Sequence, residues 1–262
     1  MQSAGSGQSC PSLMHGVFEA ACSALGIANL RHKSAMLALQ VPDDLDLAEV
    51  IHKAVVANWV WGDAAANRDR SQQNWRWALQ PQIGSGNRSP EVVLERAVAA
   101  ACAAANRDDW ANQIPVASGL ILGASDGRRA IDLVQRTGER TYQFIELKIA
   151  SDTPLYAAVE LLGYACIWLQ ARKEPPSTAP EMLHASRIDL RVLAPAAFYK
   201  RFDLAKLERS LHASVQALGK REGVILSFGF DVLPEILDPS SLPSGAALLD
   251  SLERRSPLHG TV

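Results

Sequence analysis

The chain has 262 residues, 48% hydrophobic and 21% charged, with a net charge of −2. That is enough apolar material for one substantial core, and too little bulk charge to bind a polyanion without a local basic patch or a partner. Cys10, Cys22, Cys102 and Cys166 are scattered with no CxxC pair, which argues against a zinc ribbon or a disulfide framework and fits a reducing cytoplasm.

In chain order, 1–12 is rich in Gly, Ser and Gln and reads as a disordered tail, with no basic segment and apolar run of the signal-peptide kind. Helices are expected over 13–30 and, after Pro42, over 43–61. The stretch 67–77 carries Arg68, Arg70, Arg76, Trp75 and Trp77. It reads either as a basic-aromatic surface for nucleic acid or, preferably, as a helix whose tryptophans pack on the core while the arginines stay wet. The loop 81–89 is the best boundary.

Ser89-Pro90 then starts a helix to about Asn106, with Ser89 as N-cap. Glu91 lies in its first turn, where the helix dipole alone favours an acid, and Glu95 one turn further in. A first strand is expected over 114–122, then a turn at Ser125-Asp126-Gly127, then a strand over 129–136 containing Asp132. Thr137-Gly138-Glu139-Arg140 reads as a hairpin turn, with Gly138 supplying a positive φ. In the strand 142–149, Tyr142, Phe144, Glu146 and Lys148 share one face and Ile145, Leu147 and Ile149 the other. Antiparallel pairing brings Asp132 close to Glu146 and Lys148. Charges in such an apolar setting are costly unless paired or bound to a metal.

A helix follows from Pro154, capped by Asp152 or Thr153, with Glu160 and Tyr164 on one face. Its apolar run, 155–169, is too short to span a membrane. A strand over 188–193, a helix over 204–218, a strand over 224–232 and a short helix over 248–254 complete the chain. The six histidines show no metal spacing.

The arrangement of Asp132 on one strand, Glu146-Leu147-Lys148 on the next and a helix after it resembles the PD-(D/E)XK nuclease superfamily. Ile131 stands where that family usually has proline. The resemblance spans roughly 89–233. It implies a restriction-endonuclease-like α/β fold, a three-layer sandwich around a central mixed sheet. The expected division is an N-terminal helical region (1–88), the nuclease-like domain (89–237) and a C-terminal tail (238–262).

The resemblance further implies Mg²⁺ (or Mn²⁺) held by Asp132, Glu146 and the Leu147 carbonyl, with Lys148 orienting or deprotonating the attacking water, and desolvation beside the metal is expected to lower the pKa of that lysine. Glu95 is its candidate further acid, with Glu91, Glu160 and Tyr164 in support. Glu160 stands where some members carry glutamine. Arg128, Arg129, Arg136 and Arg140, with Arg172 and Lys173, are candidate phosphate contacts. The expected activity is metal-dependent cleavage of phosphodiester bonds in nucleic acid, DNA foremost. The alternatives are a catalytically silent fold that binds nucleic acid or protein, and an unrelated α/β protein in which Lys148 and Glu146 form a structural ion pair. A second copy or a partner protein is left open.

Overall fold

The alternation expected over 142–149 is realised as a strand, ending at Leu147, in the centre of a six-stranded mixed sheet. The computed structural model describes residues 12–84, 86–124, 129–234 and 241–260. The expected tail over 1–12 therefore falls almost wholly outside the described residues, as do Cys10, the turn at 125–127 and Arg128.

The helices before the sheet are α1 (Val17–Leu25), α2 (Lys33–Leu37), α3 (Leu47–Trp61) and α4 (Pro90–Ala104). The strands β1 (Trp110–Pro115), β2 (Ala130–Gly138) and β3 (Thr141–Leu147) follow as an antiparallel meander. Helix α5 (Pro154–Lys173) then crosses to β4 (Arg187–Pro195), parallel to β3. After α6 (Ala196–Tyr199), α7 (Ala205–Glu222) crosses to β5 (Ile225–Leu233), parallel to β4. Helix α8 (Gly245–Glu253) leads to the short antiparallel edge β6 (Ser256–Pro257). The sheet order is β1-β2-β3-β4-β5-β6. β1 is flanked on its outer side by the segment 75–80, through Trp75 N–H to the Pro115 carbonyl (2.8 Å) and Asn112 N–H to the Ala78 carbonyl (3.1 Å).

Side-chain alternation divides the interior in two. Tyr142 and Phe144 of β3 pack with α5 and α7, whereas Ile145 and Leu147 join Leu94, Val98, Leu248 and Leu252 of α4 and α8. Helices thus cover both faces of the sheet. From Pro154 to Ala171 every residue of α5 is buried except Glu160. A helix apolar all round needs cover on every side, and the side away from the sheet is covered by α1 and α3. Their buried residues belong to the same apolar cluster as α5. At Gly163 a Cβ would meet Met14 Cε at 2.4 Å, so the N-terminal turn lies directly on the α5 backbone.

Several elements differ from expectation. The first strand is Trp110–Pro115, not 114–122, because positive φ at Gly119 and Gly123 turns the chain beyond it. The β2–β3 turn is Glu139–Arg140; Gly138 sits at a register shift and does not use a positive φ. Helix α1 begins at Val17 and stops at Gly26 (φ 64°), shorter than 13–30. Helix α3 begins at Leu47, where Asp46 accepts the Glu49 N–H and so fixes the start later than Asp43. The segment 67–77 consists of turns. Trp75 is buried and Trp77 half-buried while Arg68, Arg70 and Arg76 are exposed, so the expected packing is present without the expected helix. Among the described residues no helix is long and apolar enough to cross a membrane.

Candidate active site

Strands β2 and β3 are in register at Leu133–Ile145 and Val134–Phe144. One step further, the same pairing sets Asp132 beside Glu146. Asp132 Oδ2 accepts the Leu147 N–H at 2.9 Å, which ties the first acid to the backbone of the second strand. Lys148 N–H bonds to the Leu193 carbonyl of β4 at 3.0 Å. Its ammonium donates to Glu146 Oε1 at 2.7 Å and lies 3.8 Å from Glu160 Oε2. Glu160 Oε1 in turn accepts from Tyr164 OH and from Arg129, both at 3.1 Å. These groups open into one cleft of about 510 Å³, lined also by Glu91, Gln113, Leu147 and Ser151.

Two further acids come from α4, which starts as expected with Ser89 accepting the Val92 N–H and Pro90 in first position. Glu91 is more than a first-turn acid. Its Oε1 accepts from the Ile149, Ala150 and Ser151 N–H groups (3.2–3.3 Å) and from Ser151 Oγ (2.8 Å). Burial pushes Glu91 up, but these hydrogen bonds win and hold it below the usual carboxylate range. Glu95, 2% exposed, receives the side-chain amides of Asn112 (2.7 Å) and Gln113 (2.9 Å). Burial, with Asp132 nearby, raises its pKa to about 8 despite those donors.

The same physics governs the centre. Burial lifts Asp132 to about 6, against the pull of Lys148. Glu146 is raised well above its ordinary value by burial and by Asp132. Lys148 departs from expectation: burial pushes it down, but Glu146, Asp132 and Glu160 together hold it above an ordinary lysine. The expected lowered pKa is therefore replaced by a firmly charged ammonium, because a lysine facing three carboxylates gains more from them than desolvation removes.

Among the described residues no three His, Cys, Asp or Glu side chains form a preformed metal cage. The donor set on offer is two carboxylates and main-chain oxygen. That is the kind of set Mg²⁺ accepts while water fills its remaining positions. Burial is the first cause that raises both carboxylates, and a cation held between them would act against it.

Of the expected phosphate contacts, Arg129 lines the cleft. Arg136 is instead paired with Asp108 (3.5 Å) and Glu181 (3.9 Å), and Arg140 donates to the His184 carbonyl at 2.7 Å, both toward the hairpin turn. Arg172 donates to the Glu222 carbonyl and Lys173 pairs with Glu222 at 2.6 Å, at the far end of α5 from the cleft. They lie at least two helical turns beyond Tyr164, about 12 Å or more further along the helix axis.

Sequence reasoning missed Gln113. It lies on β1 at the position facing Asp132, between the Asn112–Leu133 and Ile114–Ile131 pairs, with φ 48°. A non-glycine residue held there costs of order 1–3 kcal/mol, and such strain clusters at functional sites. Nothing in the amino-acid sequence signals a positive φ at a glutamine.

Glu95 gives a pH-dependent expectation. The folded chain keeps its proton up to about pH 8, whereas an unperturbed glutamate releases it near 4.5. The native state therefore binds more protons across that window, and this contribution to stability falls as pH rises through it. Glu95→Gln, which cannot ionise, should gain stability relative to wild type between pH 5 and pH 9. Each tenfold difference in proton affinity between folded and unfolded chain is worth about 1.4 kcal/mol. Urea unfolding at both pH values measures it; an unchanged difference would show that Glu95 is ionised in the fold at pH 5.

Comparison with family models, with curated proteins and with solved structures returns no match.

Proposed function

We propose that the chain is a divalent-metal-dependent nuclease of the PD-(D/E)XK kind, hydrolysing phosphodiester bonds, with DNA the leading substrate. One observation carries the reading: Asp132 of β2, Glu146 of β3 and Lys148 just beyond its end meet in a single cleft. The order α4-β1-β2-β3-α5-β4 supports it, being the order that a restriction-endonuclease-like fold requires. Asp132 and Glu146, with the Leu147 carbonyl, would hold Mg²⁺ or Mn²⁺. The ion would supply a water of lowered pKa and offset charge at the phosphate.

The chain's own groups do the rest. Lys148, charged and held by Glu146 and Glu160, orients the attacking water as a hydrogen-bond donor. Arg129, steadied by Glu160, receives a non-bridging phosphate oxygen. Glu95 of α4 accepts from Gln113 of β1, whose strand position faces Asp132. The test is incubation with plasmid, linear and single-stranded substrates with Mg²⁺, with Mn²⁺ and with metal chelated. Cleavage that ignores the metal, or none under any condition, would end the reading.

The 2.7 Å contact between Lys148 and Glu146 favours a second reading, an unrelated α/β protein in which the pair is structural. Thermal stabilisation that grows with Mg²⁺ concentration separates the two, since a ligand that binds only the native state stabilises by mass action and an internal ion pair does not respond.

Glu91 belongs to positioning. Glu91→Ala removes the common acceptor of three backbone N–H groups beyond Lys148. The 149–151 loop is partly open to water, so the expected cost in stability is only about 1 kcal/mol. Amide exchange at 149–151 should quicken and cleavage should fall. Unchanged exchange there would show that Glu91 does not hold the loop.

A further inference from the structure

Beside the cleft lies a second groove, of about 590 Å³, which shares Arg129 with it. Its wall is a three-layer stack. Phe18 of α1 lies on Tyr156 of α5 with ring centroids 4.9 Å apart and planes 7° from parallel. Arg31 caps the ring, its guanidinium carbon 4.1 Å from the ring centre. The Arg31 side chain, whose Nη2 donates to Tyr156 OH at 2.5 Å, remains 56% exposed. Glu19 is the acid on this wall, and Cys22 lies beside it.

The stack is fastened to the cleft. Arg31 pairs with Asp152 at 3.5 Å, and Thr153 Oγ1 donates to the Leu30 carbonyl at 2.5 Å, so 30–31 is bound to the loop that follows Lys148. Asp152 is held at φ 60°, a conformation costly for aspartate. That loop is thus gripped by Glu91 on one side and by the N-terminal region on the other.

We propose that this groove seats an unstacked nucleobase of a single-stranded stretch, immediately beside the phosphate that enters the cleft. The inference rests on reading the cleft as a phosphodiester site. A planar cation on an aromatic stack presents a flat surface that every base can cover, while Arg31 and Arg129 suit the charge of the adjoining backbone. The substrate class is then flexible or frayed nucleic acid rather than uninterrupted duplex, and the N-terminal region supplies the base platform.

The experiment is equilibrium binding of a short oligothymidylate, with metal chelated to prevent cleavage, to wild type, Arg31→Ala and Arg31→Lys. Oligouridylate and an abasic oligonucleotide of equal length are the other arms. Both variants should bind oligothymidylate about tenfold more weakly, the size of one lost base stack, with Arg31→Lys failing despite its charge. The abasic strand should bind wild type and Arg31→Lys alike. Equal loss with oligouridylate identifies a site indifferent to the sugar; loss with one of them names the nucleic acid it takes.

Alkylation of Cys22 in wild type, followed by peptide mass spectrometry, needs no variant. Oligothymidylate should slow it and the abasic strand should not. The groove assignment is overturned if both variants bind like wild type with Cys22 unprotected, or if Arg31→Lys weakens the abasic strand equally. Cleavage that proceeds normally beside such a failure leaves the cleft reading standing. Base-dependent binding at Arg31 with no cleavage under any metal keeps the groove and removes the nuclease.

Discussion

Asp132→Asn and Glu146→Gln should each abolish metal-dependent cleavage and leave the chain folded. Each replaces a hard anionic oxygen donor with a neutral amide of nearly the same shape. Removing one such electrostatic contribution costs on the order of 10²–10³-fold in rate. In the Asp132→Asn variant the amide oxygen would still accept the Leu147 N–H that now ends on Asp132 Oδ2. Both acids are held above their ordinary range, chiefly by burial, so their ionised forms are disfavoured in the fold. A raised carboxylate pKa costs stability once pH exceeds the unfolded value. At pH 8 with metal chelated, Asp132→Asn should therefore melt no lower than wild type. Wild type should gain melting temperature as Mg²⁺ is added, and the variants should not. Two variants that cleave at the wild-type rate would move the site elsewhere.

Lys148 should be lost with an equally large effect on cleavage but a different effect on the fold. Its ammonium is the cation facing Glu146, Asp132 and Glu160. Lys148→Ala leaves those carboxylates without it, and breaking a buried pair from one side costs about 3 kcal/mol or more. Lys148→Arg keeps the charge and so much of the stability, but moves the donor away from where an ammonium would hold the water. Both should lower the cleavage rate by about 10²–10⁴-fold. Nucleic-acid binding should change little, with a shift of about one in the salt dependence for Lys148→Ala, because many phosphate contacts share that affinity. Arginine supporting near-normal cleavage would reduce Lys148 to a counter-charge. Binding that collapses together with cleavage would make it a phosphate anchor.

What could be read from the sequence follows from the range of the interaction involved. The faces of β3 were legible because strand alternation is local, and Asp132 meets Glu146 because a short hairpin fixes register. The cap at Ser89 was legible for the same reason, and that of α5 was narrowed to Asp152 or Thr153, of which Thr153 accepts the Tyr156 N–H. Glu91 was not: its partners at 149–151 lie far along the chain, and the helix dipole already gave an acid there a sufficient local explanation. The charge state of Lys148 was misjudged because it is a sum over three carboxylates from three elements. Only Asp132 and Glu146 were placed firmly beside it by pattern, while burial alone would have had the opposite sign. Arg136 and Arg140 lie outside the cleft because hairpin length carries them to the end of the strands away from it. The strain at Gln113 and the Phe18–Tyr156–Arg31 stack depend on packing between regions that carry no common motif.

The uniformly buried α5 has a consequence for how the chain is made. Helices α1 and α3 leave the ribosome well before the helix they must cover, and before any strand of the sheet exists. Apart from each other, their apolar faces have no native partner until α5 is synthesised, and the contact of Met14 with Gly163 closes a loop of more than half the chain. Contacts of such long range slow folding, because the loop entropy is lost before the packing is gained. The N-terminal region therefore stays open to chaperones and proteases at least until α5 has been made.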